Sequence, residues 1–576
     1  MLHRAVNFKL ALPLLSVLAF GCLEVPQAIA QNVPKSTNPS LIEKRLAPAP
    51  KGKPSIQLNI PSPSETKVPE SMRAQLESSK FGLKRVVLEG ATVYSSADLA
   101  STYQAHLGRT ISLLDARGIA NKITAFYRNN GYILTQAVVP AQDVTKGTLK
   151  IRVVEGFISK VSYQGDIADA EERARLDTYG NNIKKLQPAN MADLERYMLL
   201  MNDIPGSTIT GLIRPSGSQF GGADLVLTVK RRTFEASYTF DNRGTRYLGP
   251  FQHTVILGLN SVFNAYDHTQ LRTMTVNPFE ELFLAELIHD EIIDDEGTKL
   301  TVMGSHTKTH PGDTLKYLDI KGDSNLFEIK VSHPFLRSRQ QSFAARAAFD
   351  VRNTNVDIYS GTAFTRDRLR VVRVGGTYNF LDFLSGSNSY DVQVSQGLNI
   401  LDATDTGSDR SNPIGNANFT KANFDISRLQ PFSDGISLLT SATGQYSFQP
   451  LLTDEQFSLG GADYGRAFDP SSGLGDSGLA GKAELRYDEL VSEPYLDSYQ
   501  VFGYFDIGEA WVRGVAAGSK LGTITVASTG VGTRLRLTDN FSGSLEANFP
   551  IIKPAGGDPT NYRHNPRIFF SLSARF

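Results

Sequence analysis

Only one cysteine, Cys22, occurs in the chain, and it lies in a leader-like N-terminal segment. A disulfide framework, a cysteine-based metal site and thiol chemistry are therefore excluded for everything downstream. Phe20 is too bulky for a usual lipobox, which argues against Cys22 as a lipidation site. Neither sign of charge is in excess: 59 basic side chains stand against 59 acidic ones, and no global basic field points to nucleic acid. Past the leader, no segment approaches the roughly 18 consecutive apolar residues of a membrane-spanning helix. That does not exclude a membrane. A barrel strand alternates lipid-facing apolar with lumen-facing polar residues and keeps mean hydropathy near that of a soluble chain.

Catalytic signatures are missing too. No Gly-x-Ser-x-Gly elbow occurs. The stretch Gly514 to Lys520 superficially resembles a phosphate loop, but Gly518-Ser519-Lys520 breaks the required ending. His306 and His310 have the spacing of a ligand pair without an evident third ligand, and read as surface histidines. Asp290, Glu291, Asp294, Asp295 and Glu296 lack the spacing of a calcium loop and read as a solvated hairpin end. Neither enzymatic activity nor a cofactor or metal is expected.

What is present is organised in blocks. His3, Arg4 and Lys9 precede a short apolar run, Leu10 to Gly21, and Ala28-Ile29-Ala30 has the small-x-small pattern of a cleavage site. A signal peptide over 1–30 is expected, with the mature chain outside the cytoplasm. Residues 31–79, with eight prolines from Pro34 to Pro69, read as a linker. Within it Asn38-Pro39, followed by Ser40 to Leu46, predicts a short helix with Asn as N-cap and Pro in the first turn. A weak internal repeat follows, over 80–155 and 156–231. Val86 to Gly90 resembles Val161 to Gly165, each a strand stopped by glycine. A helical stretch comes next in each copy, carrying Ile119, Ile123, Phe126 and Tyr127 in the first and Met191, Leu194, Met198 and Met201 in the second. Two strands close each copy. The order β-α-α-β-β describes a small α+β domain present twice, with sheet edges open to strand addition.

From 232 to 576 the period changes to two. Ala483, Leu485 and Tyr487 alternate with Lys482, Glu484 and Arg486. In the final strand Ile568, Phe570, Leu572, Ala574 and Phe576 alternate with Arg567, Ser571, Ser573 and Arg575. Charges sit mid-strand on one face only, as a wet lumen requires. At roughly 21 residues per strand and connection, the region predicts about 16 antiparallel strands in a membrane barrel. Longer polar stretches such as Ala403 to Asn416 are expected to be extracellular loops.

Two segments stand out there. The first is a glycine-rich, irregular stretch from Leu459 through Gly460, Gly461, Gly465, Arg466, Ala467 and Phe468 to Gly481. The second is Tyr504-Phe505-Asp506-Ile507-Gly508 inside a strand, where Tyr504, Asp506 and Gly508 share a face. Asp506 is expected to face the lumen, and Trp511 the lipid side.

With these residues the chain resembles the outer-membrane transporters of two-partner secretion, the haemolysin-secretion and filamentous-haemagglutinin transporter family. That family is a branch of the insertase superfamily that joins POTRA domains to a barrel. The resemblance spans the mature chain and implies two periplasmic POTRA domains and a 16-stranded transmembrane barrel. Asp241-Asn242-Arg243-Gly244 matches the family's barrel-opening motif, and Phe576 its terminal barrel signal. Gly465-Arg466-Ala467-Phe468 stands where the superfamily usually has Val-Arg-Gly-Tyr/Phe, so a residue with a Cβ replaces the glycine after Arg. The resemblance implies that Arg466 of an inward-folded loop pairs with Asp506 on the wall. It also implies a secreted, haemolysin- or adhesin-like partner docked through its N-terminal secretion domain. Outer-membrane lipid and the barrel-assembly machinery, the latter reached through the C-terminal strand, complete the expected partners. A barrel-assembly insertase and a passive porin are the alternative readings.

Overall fold

The computed structural model describes residues 33–44, 58–59, 70–167, 170–263, 266–359, 361–405, 407, 409–514, 522–554 and 566–576. The expected signal peptide and most of the phosphate-loop-like stretch lie outside the described residues. The architecture is two small α+β units followed by a closed barrel.

The barrel strands are β1 (Phe234–Asp241), β2 (Phe251–Asn260), β3 (Asp267–Asn277), β4 (Leu282–Ile292), β5 (Lys299–Thr309), β6 (Lys321–Arg337), β7 (Gln341–Ile358) and β8 (Thr362–Leu381). They continue with β9 (Ser387–Gly397), β10 (Thr420–Ser433), β11 (Ile436–Ser447), β12 (Ser477–Glu493), β13 (Leu496–Trp511), β14 (Thr523–Arg536), β15 (Phe541–Ile552) and β16 (Arg567–Arg575). Each pairs antiparallel with the next, and β16 returns to β1, so the expected 16-stranded barrel is what forms. The period-two pattern sets its two faces. On β13 Phe505 and Ile507 are exposed to the outside while Phe502, Tyr504 and Asp506 are buried inside. On β3 Leu271 points outward and Arg272 inward, where it meets Glu286 of β4 at 2.7 Å. A belt of exposed Leu, Val, Ile and Phe on the outer wall has its solvent in lipid.

Ahead of the barrel, two units share one strand arrangement. In the first copy Arg85–Glu89 runs parallel to Thr148–Val154, which pairs antiparallel with Gln136–Val138. In the second, Phe157–Gly165 runs parallel to Gly222–Arg231, which pairs antiparallel with Ser207–Pro215. The glycines that stop the first strands share one cause. Gly90 and Gly165 both take left-handed angles (φ 84° and 96°), and a Cβ there would meet the carbonyl oxygens of Val153 and Val229 at 2.5 and 2.2 Å.

The helices are α1 (Pro39–Glu43), α2 (Glu70–Ser78), α3 (Leu113–Asn129), α4 (Ala170–Lys185) and α5 (Met191–Asn202). A capping box, Ser112 with Asp115, starts α3, and its buried Ala116, Ile119, Ala120, Ile123 and Tyr127 pack on Leu149, Ile151 and Val153. The first copy departs from β-α-α-β-β in one respect: its first helix is replaced by two 3₁₀ turns, Ala100–Thr102 and Gln104–His106. Local side-chain bonds compete with helix there. Asp98 accepts from the Ser95 amide at 2.9 Å, and the Thr102 hydroxyl bonds the Leu99 carbonyl at 2.6 Å. The linker is also shorter than expected, because α2, inside 31–79, packs beside α3. The expected linker helix forms as α1, with the Asn38 side chain accepting from the Ser40 amide and Pro39 at its first position.

The acidic stretch read as a solvated hairpin end is instead a socket. Asp290 and Glu291 lie near the end of β4, Asp294, Asp295 and Glu296 form the turn after it, and the second unit plugs into that turn. Glu296 takes Arg196 at 2.8 Å and the Tyr197 hydroxyl at 3.1 Å, and Asp295 takes Asn182 at 2.6 Å. Burial and the Glu296 carboxylate push the Tyr197 hydroxyl up to about 12, so it remains a donor. Asp203 and Glu195 grip Arg337 and Arg339 around the turn after β6. His306 bonds Asn325 on the neighbouring strand, while His310 bonds Asp319 in the loop that follows β5.

Gly90→Ala or Gly165→Ala should destabilise its own unit by about 1–3 kcal/mol. Hydrogen exchange of the full-length protein should then show faster amides in Thr148–Val154 or Gly222–Arg231 respectively, with barrel strands unchanged.

Candidate functional site

Residues 448–476, between β11 and β12, fold back into the lumen. A short hairpin, Phe457–Leu459 against Gly473–Gly475, forms their stem. At the tip Gly460, Gly461 and Gly465 have φ of 98°, 93° and 81°, and the turn braces itself through Gly460 N–H to Tyr464 O at 2.8 Å and Gly461 N–H to Phe468 O at 3.1 Å. Phe468 is buried with Phe457, Leu459, Ala480, Ala510 and Val526. Gly508 leaves room for Leu459, whose side chain would sit 2.5 Å from a Cβ at that position.

The sequence brings Arg466 and Asp506 together, but not as the expected guanidinium–carboxylate pair. Asp506 accepts from the main chain: Gly465 N–H at 2.9 Å and Arg466 N–H at 3.3 Å, with the hydroxyl of its cross-strand neighbour Ser528 at 2.6 Å. Two successive amides at a left-handed turn form an anion cradle, and Asp506 fills it. The Arg466 side chain is thereby directed past Asp506. Its guanidinium lies 4.2 Å above the centre of the Tyr504 ring and reaches Glu484 at 2.8 Å. Glu484 faces Tyr504 directly across the β12–β13 ladder. It is fully buried and also pairs with Arg486 and Arg534, at 2.8 and 2.9 Å. Three guanidinium groups converge on one carboxylate, and the loop supplies one of them.

Ala467 follows Arg466 in the turn. Its methyl is buried in the apolar cluster, and its carbonyl accepts from Arg567 of β16 at 3.2 Å. Arg567 also takes Asp469 at 2.6 Å. Glu484, Ser528 and Arg567 were not identified from sequence as site residues, although Glu484 and Arg567 lie on strand faces read as inward.

Asp241, Asn242 and Gly244, expected as a barrel-opening motif, lie at the closure. Backbone pairing of β1 with β16 has five register pairs, against fourteen between β13 and β14. Where the ladder stops, Asn242 continues it by side chain: its amide donates to Ile568 O at 3.0 Å and accepts from Phe570 N–H at 2.8 Å. Asp241 caps the Arg243 amide at 2.8 Å, Arg243 pairs with Glu546 at 3.0 Å, and Gly244 N–H bonds Pro250 O at 3.0 Å. Phe576 continues the β16 pairing by exchanging backbone bonds with Ala236.

The lumen holds a second insert. Helix α1 lies against the inner wall, Ile42 packed among Leu248, Met274, Val276, Leu282 and Leu284, with Glu43 paired to Arg352 of β7 at 2.6 Å.

Comparison with known proteins matches these parts. The family model for haemolysin secretion/activation protein ShlB/FhaC/HecB covers residues 297–535, and the ShlB-type POTRA domain covers 81–156. The chain is 23% identical to the heme/hemopexin transporter protein HuxB of Haemophilus influenzae strain 86-028NP, over 81% of each chain. It is 24% identical to the outer membrane transporter CdiB of Dickeya dadantii, over 72% of this chain and 73% of that one. The solved structure of CdiB from Escherichia coli superposes with a TM-score of 0.70 at 20% identity, covering 98% of this chain and 97% of that one. With its barrel in the outer membrane and its POTRA region in the periplasm, the chain matches, over residues 297–535, the haemolysin secretion/activation family of outer-membrane transporters.

Proposed function

We propose that the protein exports a large haemolysin- or adhesin-like exoprotein by two-partner secretion, docking its N-terminal secretion domain on the POTRA units and passing it through the barrel. The observation that carries this reading is a closed barrel with a polar inner wall whose contents are held by side-chain bonds, joined directly to two docking-type domains. A passive porin needs no such domains. The transporter names of the relatives favour export over barrel insertion. The second unit also accepts an added strand: linker residues Leu58 and Asn59 pair in parallel with Gly211 and Leu212 at its sheet edge. Outer-membrane lipid contacts the exposed apolar belt, and the barrel-assembly machinery recognises the C-terminal strand.

Deleting the gene should leave one large exoprotein missing from the medium and retained or degraded in the periplasm; an unchanged secreted set would refute export. Removing Phe576 should lower the amount of heat-modifiable barrel in the outer membrane without altering synthesis.

Loop anchoring is the working part of this reading. Breaking one partner of a buried ion pair costs about 3–5 kcal/mol, because the other charge stays buried. Arg466→Ala, Glu484→Gln and Asp506→Ala should each abolish secretion while the barrel remains inserted and heat-modifiable. Normal secretion by the single variants at wild-type protein levels would remove the loop anchor from the mechanism.

A further inference from the structure

The conduit proposed above is filled twice, by α1 and by residues 448–476, and the two fillings touch. The turn Thr453–Glu455 at the start of the loop carries two buried carboxylates. Asp454 is shared three ways. One carboxylate oxygen accepts the Ser40 hydroxyl of α1, and the other accepts the Thr354 hydroxyl of β7 at 2.8 Å. Its carbonyl accepts from the Lys44 ammonium, just past α1, at 2.5 Å. Glu455 next to it takes Arg373 and Lys421 of the wall, each at 2.7 Å. The helix is bound to the wall independently, through Glu43 to Arg352 and to the Thr307 hydroxyl at 3.1 Å. Asp454 therefore lies on the loop, bonds the helix at two points and the wall at one.

We propose that Asp454 is a positioning residue that makes α1 and the inward-folded loop a single latch, so that neither clears the lumen without loosening the other.

The charges support a removable latch. Glu43, Asp350, Asp454 and Glu455 stand against Lys44, Arg352, Arg373 and Lys421, linked through the pairs above and through Arg373 with Asp350. The helix brings one charge of each sign to this set, Glu43 and Lys44. Its departure leaves Asp350, Asp454 and Glu455 facing Arg352, Arg373 and Lys421. With the loop in place this remainder is balanced, three charges of each sign, so withdrawal of the helix leaves no net charge behind in the set, and the freed groups exchange their partners for water in a wet lumen.

The inference rests on the conduit reading, but its test needs no exported partner, so failure of secretion and failure of the latch are read separately. In a Cys22→Ser background, single reporter cysteines at Ser36 beside α1 and at Ser471 in the loop, both buried, report access of a membrane-impermeant maleimide to the full-length protein in liposomes. Asp454→Ala should raise labelling at both reporters by about tenfold or more, the scale of lost charged hydrogen bonds. The decisive variant is Glu43→Gln, which touches the wall and not the loop. It should accelerate the loop reporter when Asp454 is present and do so much less in Asp454→Ala, where only the Lys44 bond to the main-chain carbonyl still joins helix to loop. If Asp454→Ala disrupts the heat-modifiable barrel, Ser40→Ala takes its place in the same comparison. Faster helix labelling in Glu43→Gln with an unchanged loop rate would overturn the proposal, as would loop release in Asp454→Ala with the helix rate unchanged.

Discussion

Sixteen strands enclose more space than their own inward side chains can fill, and this surplus governs the structure. A barrel of this size is water-filled unless something else occupies it. Here the occupants come from the same chain, one from ahead of the POTRA region and one from an outer loop. Fixing either costs conformational entropy, so each needs directional bonds to a wall that is already polar. Asp506 meets that need by binding backbone amides, which no substitution within the loop can remove except proline. Glu484 meets it by gathering three guanidinium groups, one of which belongs to the loop. The wall's buried carboxylates are tolerable because the inserts and neighbouring strands help to neutralise them.

Parity was legible in the sequence, and register was not. Alternation placed Lys482, Glu484 and Arg486 on one face and Tyr504, Asp506 and Gly508 on one face, and both faces are inward. Which inward residue of β12 lies beside which of β13 depends on turn geometry and strand stagger, neither of which leaves a local signal. Only with Glu484 opposite Tyr504 does it follow that an arginine lying over the Tyr504 ring ends at Glu484. The expected Arg466–Asp506 pair thus identified the right neighbours and the wrong atoms. A short turn delivers its amides to the nearest carboxylate, and a long side chain travels on to the next strand.

The small domains show the same division between local and non-local information. The glycines at 90 and 165 were visible as strand stops, and their shared collision with a carbonyl of the parallel partner strand explains why the repeat keeps them. The missing first helix of the first copy was not visible, because a serine–aspartate bond and a threonine back-bond compete with helix at a level that hydrophobic spacing does not register. Helix α2 was hidden for the opposite reason. Its residues are mostly polar and exposed, with Leu76 alone half-buried among those described, so it carries no apolar stripe to mark it.

One signal in the barrel strands could have located both inserts. Inward-facing positions of a wet lumen should be polar, yet β3 and β4 turn Met274, Val276, Leu282 and Leu284 inward, and Ala480, Ala510 and Val526 do the same on β12 to β14. These are the footprints of Ile42 and of the Phe457–Phe468 segment. An apolar spot on a polar wall is unfavourable when the lumen is empty and favourable when it is covered, so it biases the closed state. Each footprint involves only a handful of residues, while the remaining contacts are charged or hydroxylic and can be traded for water. A larger apolar interface would hold the inserts as firmly as a domain core and leave no route to opening. The balance of small greasy footprints and exchangeable polar bonds is what allows a barrel to be stably filled and still cleared.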